Sequence, residues 1–455
     1  MAYSRTSDMT TGNSLKKILM FALPLFIGTM FQQVYNLVDT IIAGHNLGDS
    51  AVAAIGATSA LYSVVIYFAS GLNSGYGIII ARIYGKKDIP KLRSAFATML
   101  ILNVVITVLL TVTVLPVLDN VLRLLDTPEE IFSQAHEYIF IIFAGMIATI
   151  LYNMCAGFLQ AVGNSRTPLF FLILSCGINA ALDWIFIALF NMGVAGAAYA
   201  TVIATVISAA AGFWYIIKTY PDYLPGVAEF KPDKELVREM LTTGLSMALM
   251  NSVFAFGSMI LQKAINGLGT SLITAHTASR KVSEFMMMPM STIATATATF
   301  TSQNYGAAKT NRITAAIKKV LVIEMAWSLF SAILSIVAGK AMIGMILGTT
   351  DSTILSNGYM NLTMSTLFFF PLSVLFVMRM SMQAMGYKVA PVISSTIELT
   401  VKIFSSLWFV PRFGYIAVAA TEPVTWVLCA LFLVYIYRGT YKKKLMLRPQ
   451  PVCVS

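Results

Sequence analysis

The sequence predicts an all-α polytopic membrane protein with twelve transmembrane helices. They form two six-helix bundles related by a pseudo-two-fold axis along the membrane normal. Three observations carry this. Of 455 residues, 57% are hydrophobic and only 11% are charged, against about 25% charged in a soluble globular chain. Apolar runs long enough to cross a bilayer, about 20 residues each, recur along the whole length. The second half also repeats the first at a near-constant offset.

Taken in order, the first bundle reads as helices near 15–43, 51–80, 94–118, 131–160, 167–190 and 193–217. The first run is too long for a cleaved leader, whose apolar region spans about 7–15 residues, so it is expected to remain as a span. A polar stretch with Pro221, Pro225, Gly226 and Pro232 follows. The second bundle reads as helices near 236–265, 271–300, 313–347, 355–385, 390–410 and 414–437. The expected segments are a cytoplasmic tail (1–14), an N-lobe (15–218), a cytoplasmic linker (219–235), a C-lobe (236–438) and a basic cytoplasmic tail (439–455).

The repeat is visible in short matches. Leu47-Gly48 in "NLGDSAVAA" answers Leu268-Gly269 in "GLGTSLITA", and Tyr84-Gly85 answers Tyr305-Gly306, each 221 residues apart. Gln160 and Pro168 in "LQAVGNSRTP" answer Gln383 and Pro391 in "MQAMGYKVAP", each 223 apart. An even number of spans per half keeps both halves in one orientation, a parallel repeat with a cavity expected between the lobes. Of the 31 Lys and Arg, 23 fall on the termini and on alternate loops of one side, and the opposite loops hold Arg123, Lys340 and Arg412. Basic loops stay cytoplasmic, so both termini are placed there, in a plasma (inner) membrane. The net charge of +11 is thereby topological and gives no nucleic-acid signal.

The stretch "FQQVYNLVDTIIAGHNLG" puts Asp39 inside the first span, with Gln33, Tyr35 and Asn36 one and two turns before it. An ionised group is costly in hydrocarbon and marks function by default. In "INAALDWIF", Asn179 and Asp183 stand at i and i+4, on one face of the fifth helix. Thr201 lies on the sixth. At 1.5 Å per residue, the four sit about 8–16 Å below the outer helix ends. Two carboxylates, an amide and a hydroxyl suit either a hard monovalent cation such as Na⁺ or one or two shared protons.

The offsets carry Asn179 to Lys402, Thr201 to Glu422, Asp39 to Ile260 and Asp183 to Ser406. The acid pair is therefore not duplicated. Lys402 and Glu422 are expected to pair, with Glu398, Lys281 and Glu284 nearby. They form either a network that holds the lobe together or a contact for substrate.

Pro24 interrupts the first helix and removes a backbone donor, giving a possible bend point for gating. Gly71, Gly75 and Gly77 are expected to let helices approach closely. The four cysteines show no disulfide or zinc spacing, and His45, His136 and His276 stand alone. No P-loop or nucleophile elbow is present. Uphill transport would then draw on an ion gradient, with no cofactor and no enzymatic step.

"PLFIGTMFQQVYNLVDTIIAGHNLG", "LQAVGNSRTP" and "INAALDWIF", set in two six-helix halves, resemble the multidrug and toxic compound extrusion (MATE) family over roughly residues 15–440. The resemblance implies export of organic cations and amphipathic drugs against inward-flowing H⁺ or Na⁺, in a V-shaped pair of bundles. It assigns the family's helix 1 aspartate to Asp39, its helix 5 pair to Asn179 and Asp183, and a helix 6 threonine to Thr201. One branch of the family carries acidic residues on helices 7 and 10. Here helix 7 offers Asn251 and Ser252, and helix 10 has no carboxylate. The partners expected are small-molecule drugs and the lipid bilayer, with the chain acting as a monomer. A flippase for a lipid-linked precursor is the alternative, on the strength of Arg280, Lys281 and Lys402.

Overall fold

The computed structural model describes residues 8–125, 127–349 and 351–441. Within it, the side chains of Asn36, Leu37, Asp39 and several neighbours in 40–60 fall outside the description, as do those of residues 440 and 441. The described residues are almost wholly helical. The first half holds α1 (Ser14–Leu47), α2 (Asp49–Lys86), α3 (Ile89–Val114), α4 (Leu118–Leu124), α5 (Glu129–Ala144), α6 (Met146–Ala161), α7 (Arg166–Asp183) and α8 (Gly193–Thr219). The second half holds α9 (Lys234–Asn266), α10 (Thr270–Gly306), α11 (Thr310–Leu347), α12 (Ser352–Leu367), α13 (Phe369–Ala384), α14 (Val389–Phe404), α15 (Val410–Phe413) and α16 (Tyr415–Ile436).

Nine helices among the described residues are long and apolar enough to cross a membrane, or up to eleven when two bent pairs each count as one span. A long helix solves the bilayer problem because it satisfies its own backbone groups where water is absent. The bends are a departure from the straight helices expected near 131–160 and 355–385. The α5–α6 pair turns by 47° and the α12–α13 pair by 50°. Gly145 sits at the first break, where a Cβ would come within 2.5 Å of the Val202 side chain. Glycine there lets α8 press against the bend. Helix α10, the remaining long helix, is less apolar. It bears Arg280, Lys281 and Glu284, and a buried Thr- and Ser-containing stretch from Thr292 to Ser302.

The chain groups into two compact units. One comprises Leu23–Ala248, and the other Met9–Ala22 with the chain from Leu249 onward. The divisions fall inside α1 and α9, not in the polar 219–235 stretch. The reason is local. Arg82 reaches Glu239 at 2.6 Å, tying the start of α9 to α2. The segment before α1 is held by the ends of α10 and α11. There Asn304 donates to the Met9 carbonyl at 3.0 Å, Lys309 to the Thr10 carbonyl at 2.9 Å, and Arg312 to the Gly12 carbonyl at 2.9 Å.

Glycines fix the first unit's closest packing. A Cβ on Gly75 would lie 2.5 Å from Gly244 Cα, and one on Gly71 would lie 2.6 Å from Ala248 Cα. Gly77 faces the Gly157 carbonyl, at 3.4 Å from its would-be Cβ. Backbone meets backbone in the first two cases, so no rotamer change could relieve the clash. Gly75→Ala should destabilise the protein by about 1–3 kcal/mol through overpacking. Thermal unfolding in detergent checks this, and an unchanged midpoint would contradict the packing described.

Candidate functional site

The first unit gathers its polar groups at Asn179. Helix α7 starts at the "NSRTP" turn, where the Asn164 side chain accepts from the Thr167 amide at 3.1 Å and donates to the Tyr220 hydroxyl at 3.1 Å. It runs to Asp183 and then widens into π-helical turns over Trp184–Leu189. Such bulges are frequent at functional sites. Gly193, with φ of +62°, lets α8 start back against α7.

Asn179 is 2% exposed and Asp183 is fully buried. One amide orientation satisfies both ends of the Asn179 side chain, and its hydrogen-bond network assigns it. In that orientation Nδ2 donates to the Tyr35 hydroxyl at 2.8 Å and to Asp183 Oδ2 at 2.9 Å, and Oδ1 accepts from Thr201 Oγ1 at 3.3 Å. Oδ1 also accepts from the Thr201 backbone N–H at 3.0 Å, and the single Thr201 hydroxyl proton goes either to Oδ1 or to the Ala197 carbonyl at 3.0 Å. One amide thus joins α1, α7 and α8 through a phenol, a carboxylate and a hydroxyl.

Three of the four cation-site residues named from the sequence come together here, and Tyr35 with them. The Asp39 and Asn36 side chains lie outside the description. Position 39 is one helical turn beyond Tyr35 on α1. Gln33 is exposed. Pro24 lies inside an unbroken α1, two residues past the point where its contacts change unit.

The second unit buries charge around the position that the repeat offset pairs with Asn179. Lys402, 2% exposed, reaches Glu398 Oε1 at 3.2 Å and Glu422 Oε1 at 3.9 Å. Arg379 meets Glu398 Oε2 at 3.3 Å and donates to Ser394 Oγ at 3.0 Å. Phe254 presents its ring to the Lys402 ammonium at 4.6 Å. So Glu398, one turn before Lys402, is the nearer partner, and Glu422 is the more distant one. Arg379 was not foreseen, although an arginine within the span near 355–385 is itself the signal. Glu284 pairs with Arg280 at 2.9 Å, and Lys281 is exposed. Helix α14 widens into π turns over Ser405–Phe409, 221 residues after the π turns that follow α7, and Ser405 bonds Thr421 there.

Among the histidines, His136 pairs with Asp119 at 3.2 Å, and His276 packs edge-on against Tyr415. No cluster of three or more His, Cys, Asp or Glu poised for a metal ion occurs among the described residues.

A multi-pass helical membrane protein that buries an acid and amide cluster in one repeat and an ion-paired cluster around the equivalent position of the other is the architecture of a transporter. The chain belongs to the MatE family, whose family model matches residues 24–185 and 246–421. It is 28% identical over 308 residues to "Probable multidrug resistance protein YpnP" of Bacillus subtilis (strain 168), covering 67% of this chain and 68% of the relative. It is 22% identical over 428 residues to "Multidrug export protein MepA" of Staphylococcus aureus (strain MSSA476), covering 93% and 94%. Its fold matches the outward-facing structure of a multidrug resistance MATE family transporter of the MOP superfamily. The TM-score is 0.88 at 22% identity, over 97% of this chain and 98% of that one.

Glu398 holds two buried cations, so removing its charge leaves Arg379 uncompensated and Lys402 with only the more distant Glu422. Glu398→Gln should cost about 3–5 kcal/mol. Glu284→Gln, on the half-exposed pair, should stay within about 0.5 kcal/mol. Unfolding midpoints of the two variants in the same detergent check the contrast.

Proposed function

We propose that this protein is a secondary active exporter that carries organic cations and amphipathic drugs outward in exchange for H⁺ or Na⁺. The observation that carries the reading is the Tyr35–Asn179–Asp183–Thr201 cluster, in which the amide and the acid are buried. It offers an anionic oxygen and neutral oxygens from three helices with no basic residue among them. Membership of the MatE family and the similarity to bacterial proteins named for multidrug resistance and export support the substrate class.

The chemistry follows from the site. With the carboxylates of Asp39 and Asp183 ionised, the first lobe attracts a cationic drug. Two carboxylates in a low-dielectric surround cannot both stay charged cheaply. A coupling ion arriving from outside therefore competes with the drug for the same negative charge. When it binds, the drug loses its electrostatic hold and leaves. Tyr35 ties α1 to Asn179, so a change at the acid is transmitted to the helix that carries Pro24, whose missing N–H makes it the natural bend point. Rocking of the two lobes completes the exchange. The membrane voltage adds about 2.3 kcal/mol per charge per 100 mV. In this reading the chain works as a monomer in the plasma (inner) membrane, with both termini cytoplasmic, no enzymatic step and no cofactor beyond the coupling ion.

The flippase alternative asks for free positive charge to hold a pyrophosphate. Lys402 and Arg379 share Glu398 and are not free for that task. Arg280 is likewise paired with Glu284.

Asp183→Asn and Asp39→Asn should each reduce drug uptake into everted vesicles to background while the protein stays in the membrane. Thr201→Val should keep part of it. Proteoliposomes with a proton or a sodium gradient imposed singly identify the coupling ion. Undiminished uptake by Asp183→Asn would sink the scheme.

A further inference from the structure

One carboxylate of the second unit belongs to neither cluster above. Glu324 stands on α11, fully buried inside a helix of membrane-spanning length and hydropathy. The Ser373 hydroxyl on α13 lies 3.2 Å from its Oε2 and 3.0 Å from the Phe369 carbonyl, with one proton to give to either. Glu324 Oε1 is buried with no hydrogen-bond partner among the described residues. One turn on, Ser328 donates to the Glu324 carbonyl at 2.7 Å and lies 3.4 Å from the Ser373 hydroxyl.

The same face of α11 continues with Ser331 and Ser335, both fully buried. Positions 324, 328, 331 and 335 follow the i, i+4, i+7, i+11 spacing of one helix face. The file covers about 16 Å of helix. Ser335 shares a hydrogen bond of 2.5 Å with Thr366 on α12. Ser331 lines an apolar cavity of about 380 Å³ between α10 and α11.

No charge offsets the carboxylate. The elements packed against α11 are α10, α12 and α13. Their titratable and charged side chains are His276, Arg280, Lys281, Glu284 and Tyr305 on α10, Tyr359 on α12 and Arg379 on α13. Arg280 holds Glu284, Arg379 holds Glu398, the Tyr359 hydroxyl donates to the Ile336 carbonyl, and Lys281 is exposed. On α11 itself Lys318, Lys319 and Lys340 are exposed, Arg312 bonds the Asn304 side chain and the Gly12 carbonyl near the start of the helix, and Tyr437 meets Thr314. Ser373 is the one polar side chain that reaches the Glu324 carboxyl among the described residues. Leaving a charge uncompensated in such a place costs several kcal/mol.

The repeat supplies a control. Asn103 on α3 lies 221 residues earlier, and it is buried. Thr107 donates to its carbonyl at 2.7 Å, as Ser328 does to that of Glu324. The first unit therefore puts a neutral amide where the second has a carboxyl. The place accepts a neutral polar group, and the acid adds what the amide lacks, a removable proton.

We propose that Glu324 is a second proton-binding site, contained in the C-terminal unit and reached along the hydroxyl file of α11. The site takes up a proton as its carboxylate becomes the neutral acid and returns it as the acid ionises. This goes beyond the export reading and holds whichever ion the Asn179 cluster takes.

The test is a proton count on the full-length protein in nanodiscs, titrated from acid to alkaline pH without drug. Glu324→Gln should release one proton fewer per molecule than the unaltered protein. Its infrared spectrum should lack one band of a protonated buried carboxyl. Equal counts would overturn the site, whatever drug export does. Should Glu324→Gln fail to fold, Glu324→Asp carries the test: it must shift that band and its titration midpoint, and an unmoved band overturns the proposal. Ser331→Ala should keep the count and slow deuterium exchange of the band. An unchanged exchange rate overturns the path.

Discussion

Hydrocarbon gives a polar side chain no partner, so each one inside a spanning helix must find its partner within the protein. That constraint organises both units. In the first, a single amide at Asn179 satisfies a phenol, a carboxylate and a hydroxyl on three helices. In the second, Glu398 is placed between two cations, Arg379 and Lys402. The π turns that end α7 and α14 follow directly on the helices that carry Asn179 and Lys402.

The two units answer one architecture with opposite chemistry. The first concentrates neutral oxygens around an acid. Around Lys402 the second closes its charges on one another. Helix by helix the inversion is repeated: Asn179 stands against Lys402, and Asn103 against Glu324. A duplicated scaffold can diverge in this way because substitution at an interior polar position alters electrostatics while leaving the helix path alone.

Much of this was legible beforehand. Apolar runs gave the spans, and the matched Leu-Gly and Tyr-Gly pairs gave the repeat. The i, i+4 spacing placed Asn179 and Asp183 on one face, and the glycines of α2 announced the close approach to α9. What escaped notice has physical reasons. Periodicity does not see a bend, so the breaks at Gly145 and Phe368 passed as straight helix. Arg379 and Glu324 were single charges inside otherwise apolar runs, a signal that stands out only when each span is searched for ionisable groups. The offset carried Thr201 to Glu422 and so favoured Glu422 as the partner of Lys402. One turn of α14 brings Glu398 closer. The anchoring of Met9–Gly12 on α10 and α11 joins residues about 300 apart in sequence, and no local pattern announces it.

That anchoring, with the clasp of α9 on α2, makes the halves interlaced in sequence. A chain cut in the 219–235 stretch would leave the N-terminal fragment owning Met9–Ala22, which packs with the C-terminal unit. The C-terminal fragment would own residues 234–248, which pack with the N-terminal unit. Each piece would be missing a strip that the other supplies. Separately synthesised, neither fragment has a finished interior. Co-expressed, the two have a built-in reason to complement one another, and a nick in the loop need not disassemble the molecule.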